Sequence, residues 1–169
     1  MVLETKRFAL RLMAESDLDF LASMLGNPEV MHHYPKPLDR EESNGWLQRT
    51  LGCYAKAGHG FWIVERRENG ERVGQVGLLP KEINGKPEVE VAYMVHRDYW
   101  KQGIASETAL ACRDYAFNTL KVSRIISMIR PANHVSLRVA KKLDMQLIGE
   151  AVHLGLHHDL YENRRKTGL

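Results

Sequence analysis

The sequence predicts a single α+β domain in which a mixed α/β sheet is flanked by helices. Segments with alternating apolar residues, typical of strands, are interrupted by segments with apolar residues three or four positions apart, typical of helices. Their order is strand, two helices, three strands, helix, strand, helix and two strands, which differs from the strict alternation of a doubly wound fold. The 169 residues correspond to about one domain, and no repeat or linker divides 1–169.

The first strand and the two helices that follow it have recognisable ends. Residues 3–11 alternate between apolar and polar side chains and predict one strand. Ser16 or Asp17 is expected to cap the first helix, which ends at the Gly-Asn-Pro sequence of 26–28. Asp39 is expected to cap a second helix that continues to about residue 56.

The remaining elements are predicted from the same patterns. Glu68-Asn69-Gly70-Glu71 and Asn84-Gly85 are typical of turns between antiparallel strands. The predicted strands are 61–65, 72–79, 88–95, 124–129, 146–152 and 157–161, and the predicted helices are 103–120 and 136–143. Residues 163–169 are expected to form a flexible tail.

Composition and charge exclude several classes of protein. Hydrophobic residues make up 44% of the chain and charged residues 27%, which is typical of a globular protein and not of a disordered one. A formal net charge of +3 is compatible with an anionic small ligand but does not predict a nucleic-acid partner. Because no apolar run approaches the ~20 residues of a membrane span and no signal-peptide pattern is present, we expect a cytoplasmic location without membrane association.

The segment around Gly103 has the features of an anion-binding site. A strand ends near Val95, a loop follows, and a helix is predicted to begin at Gly103. The free amides and the positive end of the dipole at a helix start attract anions. Trp100-Lys101-Gln102 supplies none of the favoured capping side chains, so a bound anion would act as the cap and Lys101 would add charge. The alternative is an ordinary strand-to-helix turn that contains a glycine.

A second polar motif, Asn133-His134-Val135-Ser136, follows the next predicted strand. Asn133 is either a functional residue or a turn residue, and Ser136 is either a functional residue or a helix N-cap. The order of the two motifs favours a functional reading: strand, glycine-containing loop, helix, strand, Asn-x-x-Ser and helix.

With these motifs the sequence resembles the GNAT superfamily of acyl-CoA N-acyltransferases. The family motif Arg/Gln-x-x-Gly-x-Gly/Ala is similar to 100–105, Trp-Lys-Gln-Gly-Ile-Ala, although Trp100 departs at the first position. In the branch of ribosomal-protein N-terminal acetyltransferases that departure is common, and an opening strand Arg-Leu-x-Leu-Arg and a strand Glu-Ile-Gly-Tyr resemble 7–11 and 90–93. The Asn-x-x-Ser motif matches, whereas Asp144 and Met145 depart from the usual Gly-Phe that ends it.

The resemblance implies a GNAT-like fold and a cofactor. The sheet is expected to be central, twisted and mostly antiparallel, with a V-shaped split between two central strands in which acetyl-CoA binds. Backbone groups of Met94 and Val95 would pair with the pantetheine arm, and Asn133 would bond the same arm. The pyrophosphate would be held by amides from the loop and helix start: Lys101, Gln102, Gly103, Ile104, Ala105 and Ser106.

The implied reaction is transfer of an acetyl group from acetyl-CoA to a primary amine, either a protein N-terminus or a small molecule. The amine must lose a proton, since α-amino groups have a pKa of about 8 and lysines of about 10.4. Glu90 is the expected base because it lies on the strand that leads to the thioester. Glu88, two residues away on the same face, and a water molecule are the alternatives. The Met94 amide is expected to stabilise the oxyanion.

The proton donor for the leaving thiolate is less defined. Many family members use a tyrosine at the position that is Ala140 here. Ser136 resembles the serine assigned to this role in the ribosomal-protein branch, and a helix cap is its alternative role. The absence of that tyrosine raises an alternative function, a non-catalytic sensor that binds acyl-CoA without turnover.

The acceptor amine is not identified by the sequence. Acceptor choice in the family depends on the loop after the first helix, so we expect His32, His33 and Tyr34 to line the substrate cleft. No metal site is expected, because adjacent strand residues such as His157 and His158 point to opposite faces. The oligomeric state stays open, with a homodimer among the alternatives that the resemblance implies.

Overall fold

The computed structural model describes residues 1–165, in which one sheet is covered by helices on both faces. Strand order across the sheet is β1-β2-β3-β4-β5-β6-β8-β7. The strands are β1 (Leu3–Glu4), β2 (Phe8–Leu12), β3 (Phe61–Arg66), β4 (Arg72–Ile83), β5 (Lys86–Val95), β6 (Arg124–Ile129), β7 (Gln146–His153) and β8 (Leu156–Arg164). The helices are α1 (Leu18–Leu25), α2 (Arg40–Ala57), α3 (Ile104–Asn118) and α4 (His134–Lys142).

Strands β5 and β6 divide the sheet at its centre. They are parallel, whereas the other neighbouring strands pair antiparallel. Their ladder consists of a single pair, Glu90 with Ile126. Toward their carboxyl ends the two strands lose their backbone pairing, which produces the V-shaped split that the sequence predicts. The α+β class and the mostly antiparallel sheet are confirmed as well.

The two faces of the sheet have separate cores. Helices α3 and α4 cover one face, where Ala109 and Cys112 pack against a cluster that includes Ile125. Helices α1 and α2 cover the other face, where Leu21 and Leu47 belong to a second cluster. Among residues 1–165 this second cluster includes side chains of β3, β4 and β5 but none of β6 or β8. On that face the side chains of β6 and β8 therefore lie outside the core that α1 and α2 cover.

The N-terminal strand and the chain ends differ from the sequence-based prediction. The segment 3–11 is two strands, because the chain turns at 5–7, where Thr5 Oγ1 accepts a hydrogen bond from Phe8 N and Glu107 of α3 accepts one from Arg7 N. The expected flexible tail begins too early, since Asn163 and Arg164 belong to β8 and Asn163 Nδ2 donates to the carbonyl of Leu143. Residues 166–169 lie outside the described part of the chain.

Strand β4 is longer than predicted and continues beyond Leu79 to Ile83. The Asn84-Gly85 turn then returns the chain into β5, with φ angles of 52° and 73°. Both residues thus adopt the left-handed conformation that a two-residue hairpin turn requires. The extension matters for the site because it places Lys81 opposite Glu88. Within residues 1–165, no helix is both long and apolar enough to cross a membrane.

Asp17 does not cap α1 as expected but forms a buried ion cluster. Its side chain is fully buried, and its carboxylate accepts hydrogen bonds from Arg11 Nη1 and Nη2 at 2.8 Å and from Ala14 N at 2.9 Å. Arg72 Nε lies 3.1 Å away. Burial raises the pKa of Asp17, but the hydrogen bonds and positive charges outweigh it, and the net pKa is lowered. The cluster connects β2, the start of α1 and β4.

Replacing Asp17 with asparagine is expected to lower the free energy of unfolding at pH 7 by about 3 kcal/mol, because two arginines lose a buried carboxylate. A carboxyl group whose pKa is lowered by folding stabilises the protein above its unfolded pKa, and this is lost as pH falls through the folded value. The difference in free energy of unfolding between wild type and Asp17→Asn should therefore become smaller below about pH 4. Urea unfolding at several pH values measures the free energy of unfolding of each variant. Asp19→Asn is the control, because Asp19 forms an exposed ion pair with Arg40. An equal loss of stability in both variants would contradict the role of the buried cluster.

Candidate active site

The split between β5 and β6 exposes part of the backbone edge of β5. At its closed end, Ser127 Oγ donates to the carbonyl of Val91 at 2.8 Å. In an antiparallel pair, every second residue directs its N–H and C=O toward the partner strand. His96 N donates to Val73 O, and Met94, two residues earlier, is paired with Gln75 in the same register. The N–H and C=O of Met94 therefore face β4, while those of Tyr93 and Val95 face the split.

This alternation corrects the role expected for Met94. Its amide faces Gln75 and is not available to an oxyanion in the split. Val95 does lie on the open edge, and its carbonyl accepts a hydrogen bond from Trp100 Nε1 at 2.9 Å. The N–H groups of Tyr93 and Val95 are the ones on β5 directed into the split.

The loop after β5 ends in a set of converging amides. Lys101 and Gly103 have φ angles of 64° and 74°, and α3 begins directly afterwards at Ile104 without a side-chain cap. Among residues 1–165, no protein acceptor binds the amides of Ile104, Ala105 and Ser106. Three free N–H groups at the positive end of a helix dipole form a site for an anion.

Basic side chains surround this helix start. Arg7 Nη1 donates to the carbonyl of Gln102 at 3.0 Å, and Glu107 holds Arg7 Nε at 2.7 Å. The Oε1 atom of Gln102 accepts a hydrogen bond from Arg66 Nη2 at 2.5 Å. Sequence analysis identified Lys101 but missed Arg7 and Arg66, because their approach depends on how β2 and β3 pack beside α3.

Asn133 is the N-cap of α4, the role that the sequence suggested for Ser136. Its Oδ1 atom accepts a hydrogen bond from Ser136 N at 3.1 Å. Ser136 is therefore not the cap but the third residue of the helix. The carbonyl of Ser136 accepts a hydrogen bond from Tyr93 OH at 3.0 Å, so Tyr93 connects the two sides of the split. Burial raises the pKa of Tyr93.

Glu90 is a buried carboxylate at the closed end of the split. Its Oε1 atom lies 3.3 Å from Met128 N, and its Oε2 atom lies 3.4 Å from Lys81 Nζ. Burial raises the pKa of Glu90, and the charge of Lys81 and the bond from Met128 only partly offset this. A carboxylate with a raised pKa is suited to accept a proton near neutral pH.

Glu88 is engaged in a different interaction. Both of its carboxylate oxygens bind the guanidinium of Arg124. Arg124 Nη1 also donates to Glu162 at 2.8 Å. Because Arg124 binds both oxygens, Glu88 is part of an ion-pair network with Arg124 and Glu162. Of the two acids on this face, Glu90 has the geometry of a base.

The loop between α1 and α2 brings one of its three expected cleft residues, Tyr34, near Glu90. Burial raises the pKa of Tyr34, and the charge of Glu90 raises it further. Burial lowers the pKa of His33, and positive charge on His32, Arg130 and His134 adds to this. His32 is exposed and contacts the His33 ring edge-on. Tyr34 thus lies near Glu90, and His33 lies nearer to Arg130 and His134.

The β7–β8 hairpin carries histidines and carboxylates that could in principle bind a metal ion. His158 lies on the opposite face of β8 from His157, so the two rings do not converge. Glu150, His157 and Asp159 do bring ligand atoms within 4.8 Å of one another. His157 and Glu150 are exposed, and a histidine between two carboxylates is also an ordinary surface ion cluster.

Comparisons with known proteins agree with this geometry. Residues 7–146 match the family model described as acetyltransferase (GNAT) domain. The chain is similar to YkkB, an uncharacterized protein of Bacillus subtilis (strain 168), with 35% identity over 144 residues that cover 85% of this chain and 84% of YkkB.

Two solved structures extend the comparison. The acetyltransferase from Agrobacterium tumefaciens str. C58 has a TM-score of 0.85 at 26% identity, covering 96% of this chain and 94% of that one. RimL, the ribosomal L7/L12 alpha-N-protein acetyltransferase in complex with coenzyme A, has a TM-score of 0.79 at 18% identity, covering 96% and 97%. The likeness to RimL shows the fold alone.

Proposed function

The chain belongs to the GNAT acetyltransferase domain family, and on that basis we propose that it transfers an acetyl group from acetyl-CoA directly to a primary amine. The observation that carries the proposal is the position of one buried carboxylate, Glu90, at the closed end of a split that has free helix amides near its open end. The two features separate the tasks of the reaction: one deprotonates the amine and the other holds a phosphorylated donor.

The donor would occupy the open end of the split. Its pyrophosphate would bind the amides from Lys101 to Ser106, with Arg7 and the Lys101 side chain adding positive charge. The pantetheine arm would pair with the N–H groups of Tyr93 and Val95 as an added strand, and with the Nδ2 atom of Asn133. That RimL binds coenzyme A supports this arrangement for a chain of the same fold.

In the proposed reaction the amine nitrogen attacks the thioester carbonyl while Glu90 accepts its proton, directly or through a water molecule. The C–N bond forms, and negative charge develops on the carbonyl oxygen, where a backbone N–H of the β5 edge can stabilise it. The C–S bond then breaks, and the thiolate takes a proton. Ser136 is our proposed donor. Tyr93, whose phenol stays protonated at neutral pH and donates to the backbone carbonyl of Ser136, is the second candidate.

The acceptor is a primary amine of a protein N-terminus or of a small molecule. The opening strand and the Glu-x-x-Tyr strand resemble the ribosomal-protein branch, and we propose that relationship from the motifs. The carboxylate that accepts the proton is the same for either acceptor.

Gly103→Glu is expected to weaken acetyl-CoA binding by about 100-fold, the loss of one or two hydrogen bonds to a charged group. The new carboxylate would occupy the position of the phosphates. Titration calorimetry measures the effect. Gly85→Glu is the matched control, since Gly85 has a φ of +73° and nothing lies within 4 Å of an added Cβ. Unchanged affinity in Gly103→Glu would refute the assignment of the loop.

Asn133 is expected to have two roles that two substitutions separate. Asn133→Ala removes the cap and should lower the free energy of unfolding by about 1 kcal/mol. Asn133→Asp keeps the oxygen that accepts from Ser136 N but removes the Nδ2 donor, so it should leave stability unchanged and still raise the KM for acetyl-CoA. A normal KM in Asn133→Asp would mean that Asn133 is only a cap.

Glu90→Gln is expected to lower kcat by about 10²–10⁴-fold, the usual contribution of a general base. In the wild type, kcat should rise with pH through a pKa above the ordinary value of glutamic acid, because burial favours the protonated form. Release of the CoA thiol with a panel of amines measures both quantities.

Glu82→Gln is the matched control, since Glu82 is exposed on the same sheet and loses the same charge. A group whose pKa is raised by folding destabilises the protein as pH rises. At pH 8, Glu90→Gln should therefore unfold at no lower temperature than wild type, which distinguishes lost chemistry from lost folding. Binding of acetyl-CoA without acetylation of any amine would contradict the proposed activity and favour a non-catalytic sensor.

A further inference from the structure

Arg130 lies at the carboxyl end of β6, on the same face of the sheet as Glu90. Ile126 pairs with Glu90 at the closed end of the split, and side chains alternate along a strand, so Ile126 and Met128 share that face. Arg130 comes one residue after β6 ends at Ile129, and the continued alternation places it on the same side. These side chains lie outside the core that α1 and α2 cover. Arg130 therefore stands on the side from which an acceptor would reach Glu90.

Arg130 is a half-buried residue, and its guanidinium has no matching negative charge among residues 1–165. Its Nη1 atom donates to the carbonyl of His157 at 2.6 Å. Among residues 1–165, no carboxylate oxygen lies within 4.0 Å of it. Arg124 on the same face of β6 is the contrast, because Glu88 and Glu162 both bind it. A half-buried arginine that lacks a carboxylate partner is suited to bind an anion through two parallel hydrogen bonds.

The surroundings of Arg130 are cationic as well. It contacts β8 through the carbonyl of His157, and its charge lowers the pKa of His33 in the α1–α2 loop and of His158. On the β4 side, Lys81 lowers the pKa of His158 and His153, whose rings lie 5.9 Å apart. Of Arg130 and Lys81, only Lys81 has a carboxylate partner among residues 1–165, and that partner is Glu90. Positive charge is thus in excess on this side of the sheet.

We propose, resting on the transferase activity proposed above, that the acceptor is a primary amine that also carries a carboxylate or phosphate, and that Arg130 binds this anion. Polyamines and other polycations are disfavoured, because they would bring further positive charge next to Arg130 and Lys81. Arg130 is then the residue that determines acceptor specificity, and it acts in substrate binding and not in proton transfer.

The test compares amines that differ only in their negative charge. The panel contains α-amino acids and ω-amino acids of increasing chain length, each compared with its own carboxamide. It also contains 2-aminoethyl phosphate and a polyamine. Acetylation by the full chain is followed by thiol release, at matched concentrations of unprotonated amine. The readout is the ratio of kcat/KM for each acid to that for its amide, in wild type, Arg130→Gln and Arg130→Lys. Arg49→Gln, at an exposed position of α2, is the control.

Wild type and Arg49→Gln are expected to prefer the anionic amines. Arg130→Gln should lower the acid-to-amide ratio by about tenfold to hundredfold, as for a lost hydrogen bond to a charged group, mainly through KM. Arg130→Lys should keep part of the preference, since it retains the charge without the bidentate geometry. The carboxylate and phosphate arms show which anion is bound.

Three outcomes would overturn the inference. Preference for the amides or the polyamine, or an acid-to-amide ratio that Arg130→Gln leaves unchanged, would refute it while the transferase activity stands. Acetylation of no amine by a protein that binds acetyl-CoA would refute the proposed function and this inference together. Thermal unfolding of each variant guards against loss of folding, and retained turnover of the amides shows that the catalytic groups are intact.

Discussion

The parting of β5 and β6 is the constraint on which the rest of the site depends. Two parallel strands at the centre of a sheet would ordinarily pair along their whole length, because unpaired backbone groups are costly to bury. Here pairing is confined to Glu90 and Ile126, and Ser127 satisfies the carbonyl of Val91 where the strands separate. Beyond this point the N–H groups of Tyr93 and Val95 face a gap that an extended ligand can fill in the manner of an added strand.

The placement of charge follows from the same parting. Glu90 lies where the strands still touch, so it is buried and its pKa is raised. Glu88, two residues earlier, lies beside Arg124 and is held in a network with Glu162. Glu90 and Glu88 lie on the same face of one strand, but their cross-strand neighbours differ. Glu90 is therefore suited to proton transfer, and Glu88 to a structural ion pair.

Local sequence signals were sufficient wherever a short segment determines its own structure. Asp39 and Glu42 form the reciprocal capping box of α2, and Asn84-Gly85 forms the turn of the long β4–β5 hairpin. They were insufficient where a distant residue competes for a group. Asp17 looks like a helix cap in the sequence, but Arg11 and Arg72 bind its carboxylate. Residues 3–11 look like one strand, but Glu107 of α3 binds Arg7 at the turn between two.

The sequence by itself determined the class of the fold, the order of its elements, the glycine loop before α3 and the acid on β5, since periodicity and turn chemistry are properties of neighbouring residues. Only the tertiary structure showed that Arg124 binds Glu88 while Glu90 is buried at the closed end of the split, and that Tyr93 lies with Val95 on the open edge of β5 whereas Met94 faces β4. It also showed that Arg130 contacts β8 through the carbonyl of His157. Each of those outcomes depends on which strand lies opposite and in which register. Pairing between residues far apart in the chain sets both, and no local pattern encodes it.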